Sequence, residues 1–167
     1  MTEAATVGVV MGSDSDLDTM KKCLALLQEL GLGYEVRILS AHRTPNEAHE
    51  FAATARDRGL KVLIAAAGMS AALSGVLSAA TTLPVIGVPM VSGPLGGMDA
   101  VLSTLQMPPG IPVGAMAIGS AGAKNAAIFA AEIIGVCDAA MADRLAKYKA
   151  DMASTVLAKD AKLQTEV

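Results

Sequence analysis

Short apolar runs alternate along the chain with longer segments in which apolar residues recur at helical spacing. The third run, residues 61–67 (KVLIAAA), is apolar after its first residue, which is typical of a strand covered by helices on both sheet faces. Strands and helices that alternate through short loops predict a parallel sheet with right-handed crossovers. We therefore expect a flavodoxin-like, three-layer αβα sandwich with a five-stranded parallel sheet. Its strands are predicted at residues 6–11, 34–39, 61–67, 84–88 and 112–118.

Turn and capping residues place helices between these strands. Thr44 and Pro45 are typical of a helix start, and Gly59 is typical of a helix end. Helices are predicted at residues 17–30, 45–58, 68–80, 98–106 and 124–135.

A further apolar stripe follows after the sheet is complete, where little sheet is left for a sixth helix to cover. We therefore predict a catalytic domain over residues 1–137. Residues 138–167 are predicted to form a C-terminal helical arm of the same domain that packs on a neighbouring subunit and frays after Lys159. The apolar positions of the arm are Met141, Leu145, Tyr148, Met152 and Val156.

The composition limits what the chain can bind and where it can act. A net charge of −3 gives no general attraction to nucleic acid. No apolar stretch is long enough and free enough of helix breakers to span a membrane, and the first residues lack the basic segment of a secretory signal, so we expect a cytoplasmic protein. Aromatic residues make up 2% of the chain, so the core depends on closely packed aliphatic side chains, which favours an oligomer.

Cys23 and Cys137 lie too far apart for a CxxC motif, and both are expected to be reduced and buried.

Two polar strings follow directly on the first two predicted strands. They are Gly12–Asp16 (GSDSD) and Ser40–Pro45 (SAHRTP). Because the carboxyl ends of parallel strands share one sheet edge, the two loops are expected to meet and form a ligand site.

The first loop carries groups suited to a nucleotide. A helix cap with acidic residues in the first turn is the simpler interpretation. Gly12, however, permits close backbone approach, and Ser13 and Ser15 can donate to a phosphate beside free helix N–H groups. Asp16 is suited to accept hydrogen bonds from the two hydroxyl groups of a ribose. Asp14 is also predicted to bind the substrate.

The second loop carries the candidate catalytic residue, His42. Imidazole titrates near neutrality, so His42 can exchange a proton with a bound ligand. The planar guanidinium of Arg43 can donate two hydrogen bonds to a phosphate. Ser40 and Ala41 are predicted to line the same site. His49 lies within a predicted helix near carboxylates and is interpreted as a surface residue.

The third loop, which contains Gly68, Met69 and Ser70, has no charge. Close packing of helix on sheet explains it without any function, whereas a small apolar wall with free N–H groups would suit a neutral or planar molecule. The Pro- and Gly-rich segment 92–97 is either a mobile cover over the same edge or merely a long loop.

Several familiar sites are excluded by their residues. The first loop is not a GxGxxG fingerprint, and the chain contains no GxxxxGK[ST]. The strand-end loops offer no ring to stack on a flavin. A phosphoacceptor receiver domain would have Asp at the end of the third strand and Lys at the end of the fifth, where this chain has Gly68 and Gly119. A metal site is excluded because His42 has no His or Cys nearby as a second ligand. The prediction is a site that needs no cofactor or metal.

The chain resembles the N5-carboxyaminoimidazole ribonucleotide mutase family, also called the catalytic subunit of phosphoribosylaminoimidazole carboxylase. The resemblance extends over residues 7–134. It is carried by six strings: 11–16 (MGSDSD), 40–45 (SAHRTP), 83–89 (LPVIGVP), 106–108 (QMP), 110–113 (GIPV) and 121–127 (AGAKNAA).

This resemblance implies a cofactor-free reaction of purine biosynthesis in a homo-octamer of flavodoxin-like subunits. The reaction converts N5-carboxyaminoimidazole ribonucleotide to 4-carboxyaminoimidazole ribonucleotide by carboxylate transfer, with CO2 as an intermediate. The resemblance also implies His42 as the general acid and base, and Ser13, Asp16 and Arg43 as ligand contacts.

The third loop leaves two alternatives open. Bacterial mutases usually read approximately Gly-Gly-Ala-Ala-His-Leu-Pro-Gly there, whereas residues 68–75 read GMSAALSG. A related branch that carboxylates aminoimidazole ribonucleotide directly with CO2 is more similar in this loop, although Arg43 and Ala121-Gly122 favour the mutase. Direct carboxylation is therefore one alternative, and a non-catalytic nucleotide-binding oligomer is the other.

Overall fold

Five parallel strands form one sheet in the computed structural model, which describes residues 4–166. The strand order is β2-β1-β3-β4-β5. The chain runs from β1 to the edge strand β2, crosses to β3 on the other side of β1, and then adds β4 and β5 toward the opposite edge. This arrangement confirms the predicted flavodoxin-like sheet. The strands are β1 (Val7–Met11), β2 (Tyr34–Ile38), β3 (Val62–Gly68), β4 (Val85–Met90) and β5 (Gly114–Ala115).

Helices cover both faces of this sheet and complete the predicted three layers. The first and fifth helices and the beginning of the sixth helix pack on one face of the sheet. The second and third helices pack on the other face. The helices are α1 (Leu17–Glu29), α2 (Pro45–Ala53), α3 (Leu73–Ala80), α4 (Met98–Leu105), α5 (Gly119–Gly135) and α6 (Ala139–Glu166). Among residues 4–166, no helix is both long enough and apolar enough to cross a bilayer.

The core is built from small and aliphatic side chains, as the low aromatic content requires. In β3, alternate residues are buried in the two different core clusters, so both faces of the strand are covered as predicted. The inward face of α5 is a stripe of fully buried alanines, which lets this helix approach the sheet and α1 closely. These alanines are Ala123, Ala126, Ala127, Ala130 and Ala131.

Four predicted boundaries are wrong around β4, β5 and α5: both ends of β5, the start of α5 and the end of β4. The last strand is only two residues long and pairs with Ile86 and Gly87 of β4. It does not begin at Pro112, which has no N–H to donate to a sheet. The next helix begins at Gly119, five residues earlier than its prediction, since glycine and alanine show no apolar periodicity there. β4 itself continues to Met90, beyond the predicted end at Val88.

The helices of the other face are shorter than predicted. α2 ends at Ala53, where the Thr54 hydroxyl donates to the Glu50 carbonyl (2.8 Å) and competes with continued helical bonding. α3 begins at Leu73, because the residues before it form tight turns in which the Ala71 N–H donates to the Met69 carbonyl (2.9 Å).

The C-terminal segment is one long helix that leaves the body of the domain. Met141 and Leu145 are buried against α5, whereas residues 151–166 are exposed. The helix continues to Glu166, so the predicted fraying after Lys159 is wrong. At 1.5 Å per residue, its 28 residues extend about 42 Å. Packing of this arm on a neighbouring subunit stays a prediction.

The two cysteines differ in environment. Cys23 is buried in α1, and burial raises the pKa of its thiol to about 12. Cys137 is exposed, contrary to the prediction, because it lies beyond the last residue of α5.

Gly122 provides a test of the close approach between α5 and the chain that leaves β5. A Cβ at this position would stand 2.7 Å from the carbonyl carbon of Ala117, and closer still to its oxygen. Backbone atoms cannot rotate away, so Gly122→Ala should lower the free energy of unfolding by about 1–3 kcal/mol, as overpacking does. Urea denaturation monitored by circular dichroism measures this change.

Gly135→Ala in the same helix is the matched control. Its Cβ would stand 3.4 Å from Leu145 Cδ1, an ordinary contact, and alanine favours a helix over glycine by up to about 1 kcal/mol. This variant should therefore be as stable as the native protein or slightly more stable. Equal unfolding free energies for the two variants would contradict the packing argument.

Candidate functional site

The loops after β1, β2, β3 and β4 enclose a cleft of about 590 Å³ at the carboxyl edge of the sheet. The cleft lies beside the point between β1 and β3 where the strand order reverses, which is where open α/β sheets bind ligands. Its lining consists of Gly12, Ser13, Ser15, Asp16, Ser40, Ala41, His42, Arg43, Ala67, Gly68, Met69, Ser70, Leu73 and Ser92.

The structure brings together all the predicted site residues except one. Asp14 is exposed and does not line the cleft; its carboxylate accepts a hydrogen bond from the Ser13 hydroxyl (3.1 Å). It points away because residues 14–16 form a single 3-10 turn, which places adjacent side chains on different sides. The other predicted residues share one cavity, and their roles in binding stay predictions.

The hydroxyl groups of the first loop form a local cluster. Ser13 Oγ accepts from the backbone N–H of Ser15 (3.3 Å) and from Ser15 Oγ (3.0 Å). The Gly12 N–H donates to the Ala66 carbonyl (2.9 Å), so the loop begins as a continuation of the β1–β3 ladder. The two serine side chains are therefore held close together at the end of a rigid strand.

Asp16 is a buried carboxylate with little compensation from the protein. The residue is 5% exposed, and its hydrogen bond from Ser15 Oγ is long, at 3.5 Å. Burial raises the pKa of Asp16, while hydrogen bonds from Ser15 and Ser13 oppose the increase. The Asp16 carboxylate lines the cleft and can still accept hydrogen bonds from the hydroxyl groups of a ligand.

The hydroxyl of Ser40 shapes the second loop. It accepts from the backbone N–H groups of His42 (3.4 Å) and Arg43 (3.2 Å), and from Arg43 Nε (3.4 Å). Thr44 Oγ1 accepts from the Ser40 N–H (2.8 Å) and closes the turn. Ser40 lines the cleft, and it also holds the backbone that carries the imidazole.

Arg43 joins the two polar loops. One terminal nitrogen of its guanidinium donates to the Gly12 carbonyl (3.1 Å), so the cation lies between the first and second loops with donors left for an anion. His42, next to it, is exposed and is held through its backbone. Its imidazole is therefore open to a ligand in the cleft.

Ser92 also lines the cleft. The sequence prediction places it in segment 92–97, interpreted as either a cover over this edge or a long loop, and not among the site residues. It follows β4 and lies directly against Gly68. A Cβ on Gly68 would stand 2.7 Å from the Ser92 Cβ, so glycine is required where these two loops meet. Placing the end of β4 at Met90 would have identified Ser92 by the same strand-end rule that identified the other loops.

Comparisons with known proteins agree with this fold and identify its family. A family model described as AIR carboxylase matches residues 6–155. The N5-carboxyaminoimidazole ribonucleotide mutase of Pyrococcus abyssi is 51% identical over 146 residues, covering 87% of this chain and 83% of that protein. The mutase of Bacillus subtilis is 50% identical over 151 residues, covering 90% and 93%.

A solved structure shows the same similarity in three dimensions. The crystal structure of Treponema denticola PurE superimposes with a TM-score of 0.84 at 33% sequence identity, and the match covers 94% of this chain and 97% of that one. The family model includes all four loops of the cleft together with the sheet that carries them. The chain therefore belongs to the AIR carboxylase family.

Proposed function

We propose that this protein is an N5-carboxyaminoimidazole ribonucleotide mutase of purine biosynthesis. It moves a carboxylate from the exocyclic nitrogen to a ring carbon and forms 4-carboxyaminoimidazole ribonucleotide. The observation that carries the proposal is the shared cleft of Asp16, His42 and Arg43, in a chain that is half identical to curated mutases over most of its length.

The polar half of the cleft suits the ribonucleotide. Ser13 and Ser15 hydroxyl groups and the Arg43 guanidinium bind the phosphate, because charge-assisted donors are the strongest ligands for such an anion. Asp16 accepts from the ribose hydroxyls. A volume of about 590 Å³ lies within the usual range for small-molecule sites.

His42 moves the proton in both halves of the reaction. As the carbamate C–N bond breaks, CO2 leaves, and the electron pair on the nitrogen takes a proton from the imidazolium. The enamine-like ring carbon then attacks CO2 to form the new C–C bond. Neutral His42 removes the proton from that carbon, which restores the aromatic ring and the imidazolium. No proton or electron is gained or lost overall, so neither a cofactor nor a metal is needed.

The apolar half of the cleft retains the intermediate. CO2 has no charge for the protein to bind, so only enclosure keeps it beside the ring carbon. Gly68, Met69 and Ala67 provide this wall, and Ser70 lies at its polar end.

We propose further that the cytoplasmic enzyme is a homo-octamer in which α6 packs on a neighbouring subunit. The exposed Met152, Val156 and Leu163 continue the stripe whose earlier members, Met141 and Leu145, pack on α5. Residues 151–166 of this helix are exposed within one chain, whereas helices in proteins gain most of their stability from packing of an apolar face. Its exposed stripe therefore favours a protein partner, and a second copy of the chain is the simplest one.

The two substrates of the family distinguish the proposed function from its alternatives. Given N5-carboxyaminoimidazole ribonucleotide, the purified protein should form the 4-carboxy product at a higher kcat/KM than it does from aminoimidazole ribonucleotide with bicarbonate-derived CO2. The reverse preference would establish direct carboxylation. Thermal stabilisation by the ribonucleotide without product from either substrate would establish a binding protein.

His42→Asn tests the mechanism within the same assay. Asparagine retains a hydrogen-bonding side chain of similar size but cannot exchange a proton at neutral pH, so kcat should fall by about 10²–10⁴-fold. Binding of the ribonucleotide, measured by calorimetry, should remain detectable. His49→Asn, on the exposed face of α2, is the control and should have native activity. Near-native turnover by His42→Asn would remove this residue from the mechanism.

Asp16→Asn should separate stability from binding. Burial raises the pKa of Asp16 in the folded protein, so the folded state binds more protons than the unfolded state over the pH range between the two pKa values. The carboxylate therefore destabilises the ligand-free protein increasingly as the pH rises through this range. The variant should have a higher Tm at neutral pH, and its advantage should disappear below about pH 4, where both states are protonated.

The same variant should bind the ribonucleotide about tenfold to a hundredfold more weakly, because an acceptor for the ribose hydroxyls loses its charge. Asp18→Asn is the control. Asp18 is exposed and pairs with Lys21 on the surface, so its removal should change neither affinity nor Tm appreciably. Native affinity in Asp16→Asn would contradict the ribose assignment.

The proposed assembly can be tested by light scattering on the full-length protein. The native protein should have eight times the mass of one chain. Val156→Asp should reduce this mass, because Val156 is exposed within one chain and lies on the apolar stripe of α6. Ser154→Asp, about 200° away around the helix, should preserve it. A monomeric native protein would contradict the octamer.

A further inference from the structure

Met69 adopts a backbone conformation that glycine would accept more easily. Its φ is +57°, and within residues 4–166 no other residue except glycine has a positive φ. The left-handed region brings Cβ close to the backbone, so a methionine here is less stable than a glycine. Such outliers persist when the surroundings impose them, and they cluster at functional sites.

Within one chain, burial does not compensate for this conformation. The side chain of Met69 lines the cleft, yet the residue remains 56% exposed. Its Cγ and Cε lie 3.7 and 3.9 Å from the point that a Cβ on Gly93 would occupy. Met69 therefore extends from the β3 loop across to the β4 loop at the mouth of the cleft, where it is only partly removed from water.

Neighbouring contacts fix the backbone of this turn. The Ala71 N–H donates to the Met69 carbonyl (2.9 Å), and the Ala72 N–H donates to the Ser70 carbonyl (2.7 Å). Ala71 is buried beneath the turn. Gly68, on the preceding side, packs so closely on Ser92 that it tolerates no side chain. The direction of the methionine is thus set by both loops.

We propose that Met69 is a positioning residue that closes the mouth of the cleft and retains CO2 between its release and its capture. This inference rests on the proposed mutase function. The opposite side of the cleft offers charges and hydroxyl groups, which do not hold an uncharged, apolar molecule. An unbranched thioether side chain fills irregular apolar space, and here it lies between the β3 loop and Gly93 of the β4 loop, where glycine supplies no side chain.

Three variants at this position test the inference. With N5-carboxyaminoimidazole ribonucleotide as substrate, the measured quantity is the fraction released as aminoimidazole ribonucleotide rather than carboxylated at the ring carbon, corrected for loss without enzyme. Met69→Gly and Met69→Ala should raise this fraction about fivefold or more, because CO2 escapes or water enters. Met69→Leu, which restores apolar bulk, should bring the fraction back toward the native value.

The Tm distinguishes this role from a purely structural one. Met69→Gly relieves the unfavourable φ and should melt at a higher temperature than both the native protein and Met69→Ala. A structural role would instead lower Tm and activity together. If the native protein carboxylates the ring but Met69→Gly partitions its substrate as the native protein does, the inference is wrong and the proposed function stands. If the native protein forms no carboxylated product, the proposed function itself fails.

Discussion

The parallel pairing of β1 with both β2 and β3 is the constraint on which the site depends. Met11, at the end of β1, is in register with Ile38 on one side and with Ala66 on the other. All three strands therefore reach the same sheet edge at nearly the same height. The hydroxyl cluster, the imidazole and the apolar wall begin from this common level. A shift in the register of β2 would separate His42 and Arg43 from Ser13.

Small residues allow the loops to converge as closely as they do. Gly68 is paired with Met90 across β3 and β4, and its missing side chain provides the space that Ser92 occupies. The alanine stripe of α5 has the same effect inside the domain, where it brings helix and sheet together without large rings. Against this closely packed base, two features of the cleft oppose stability: the buried carboxylate of Asp16 and the left-handed backbone of Met69. Both lie where a ligand would gain from them.

The sequence predicted the topology and most of the cleft, because both depend on patterns that local residues reveal. Apolar runs identified the strands, and polar residues after them identified the loops. The prediction failed where the pattern was weak. The start of α5 is a Gly, Ser and Ala segment with no periodicity, and Pro89 suggested that β4 had already ended. β4 accommodates Pro89 because β5 pairs with it only at Ile86 and Gly87, so a missing N–H at residue 89 interrupts no bond to β5.

Side-chain direction was the other limit of prediction, and it determines how the cleft is organised. Nothing in the string SDSD shows that Asp14 faces solvent while Asp16 is buried. The 3-10 turn decides this: Asp16 lines the cleft, whereas Asp14 faces solvent and accepts a hydrogen bond from the Ser13 hydroxyl. Arg43 is already held by Ser40 and by the Gly12 carbonyl, so ordering it costs little when an anion binds. A chain with a net charge of −3 can thus bind a phosphate through local groups. Charge is confined to one half of the cleft, which leaves the other half uncharged and mostly apolar. The proposed reaction requires this division, because its substrate is an anion and its intermediate has no charge.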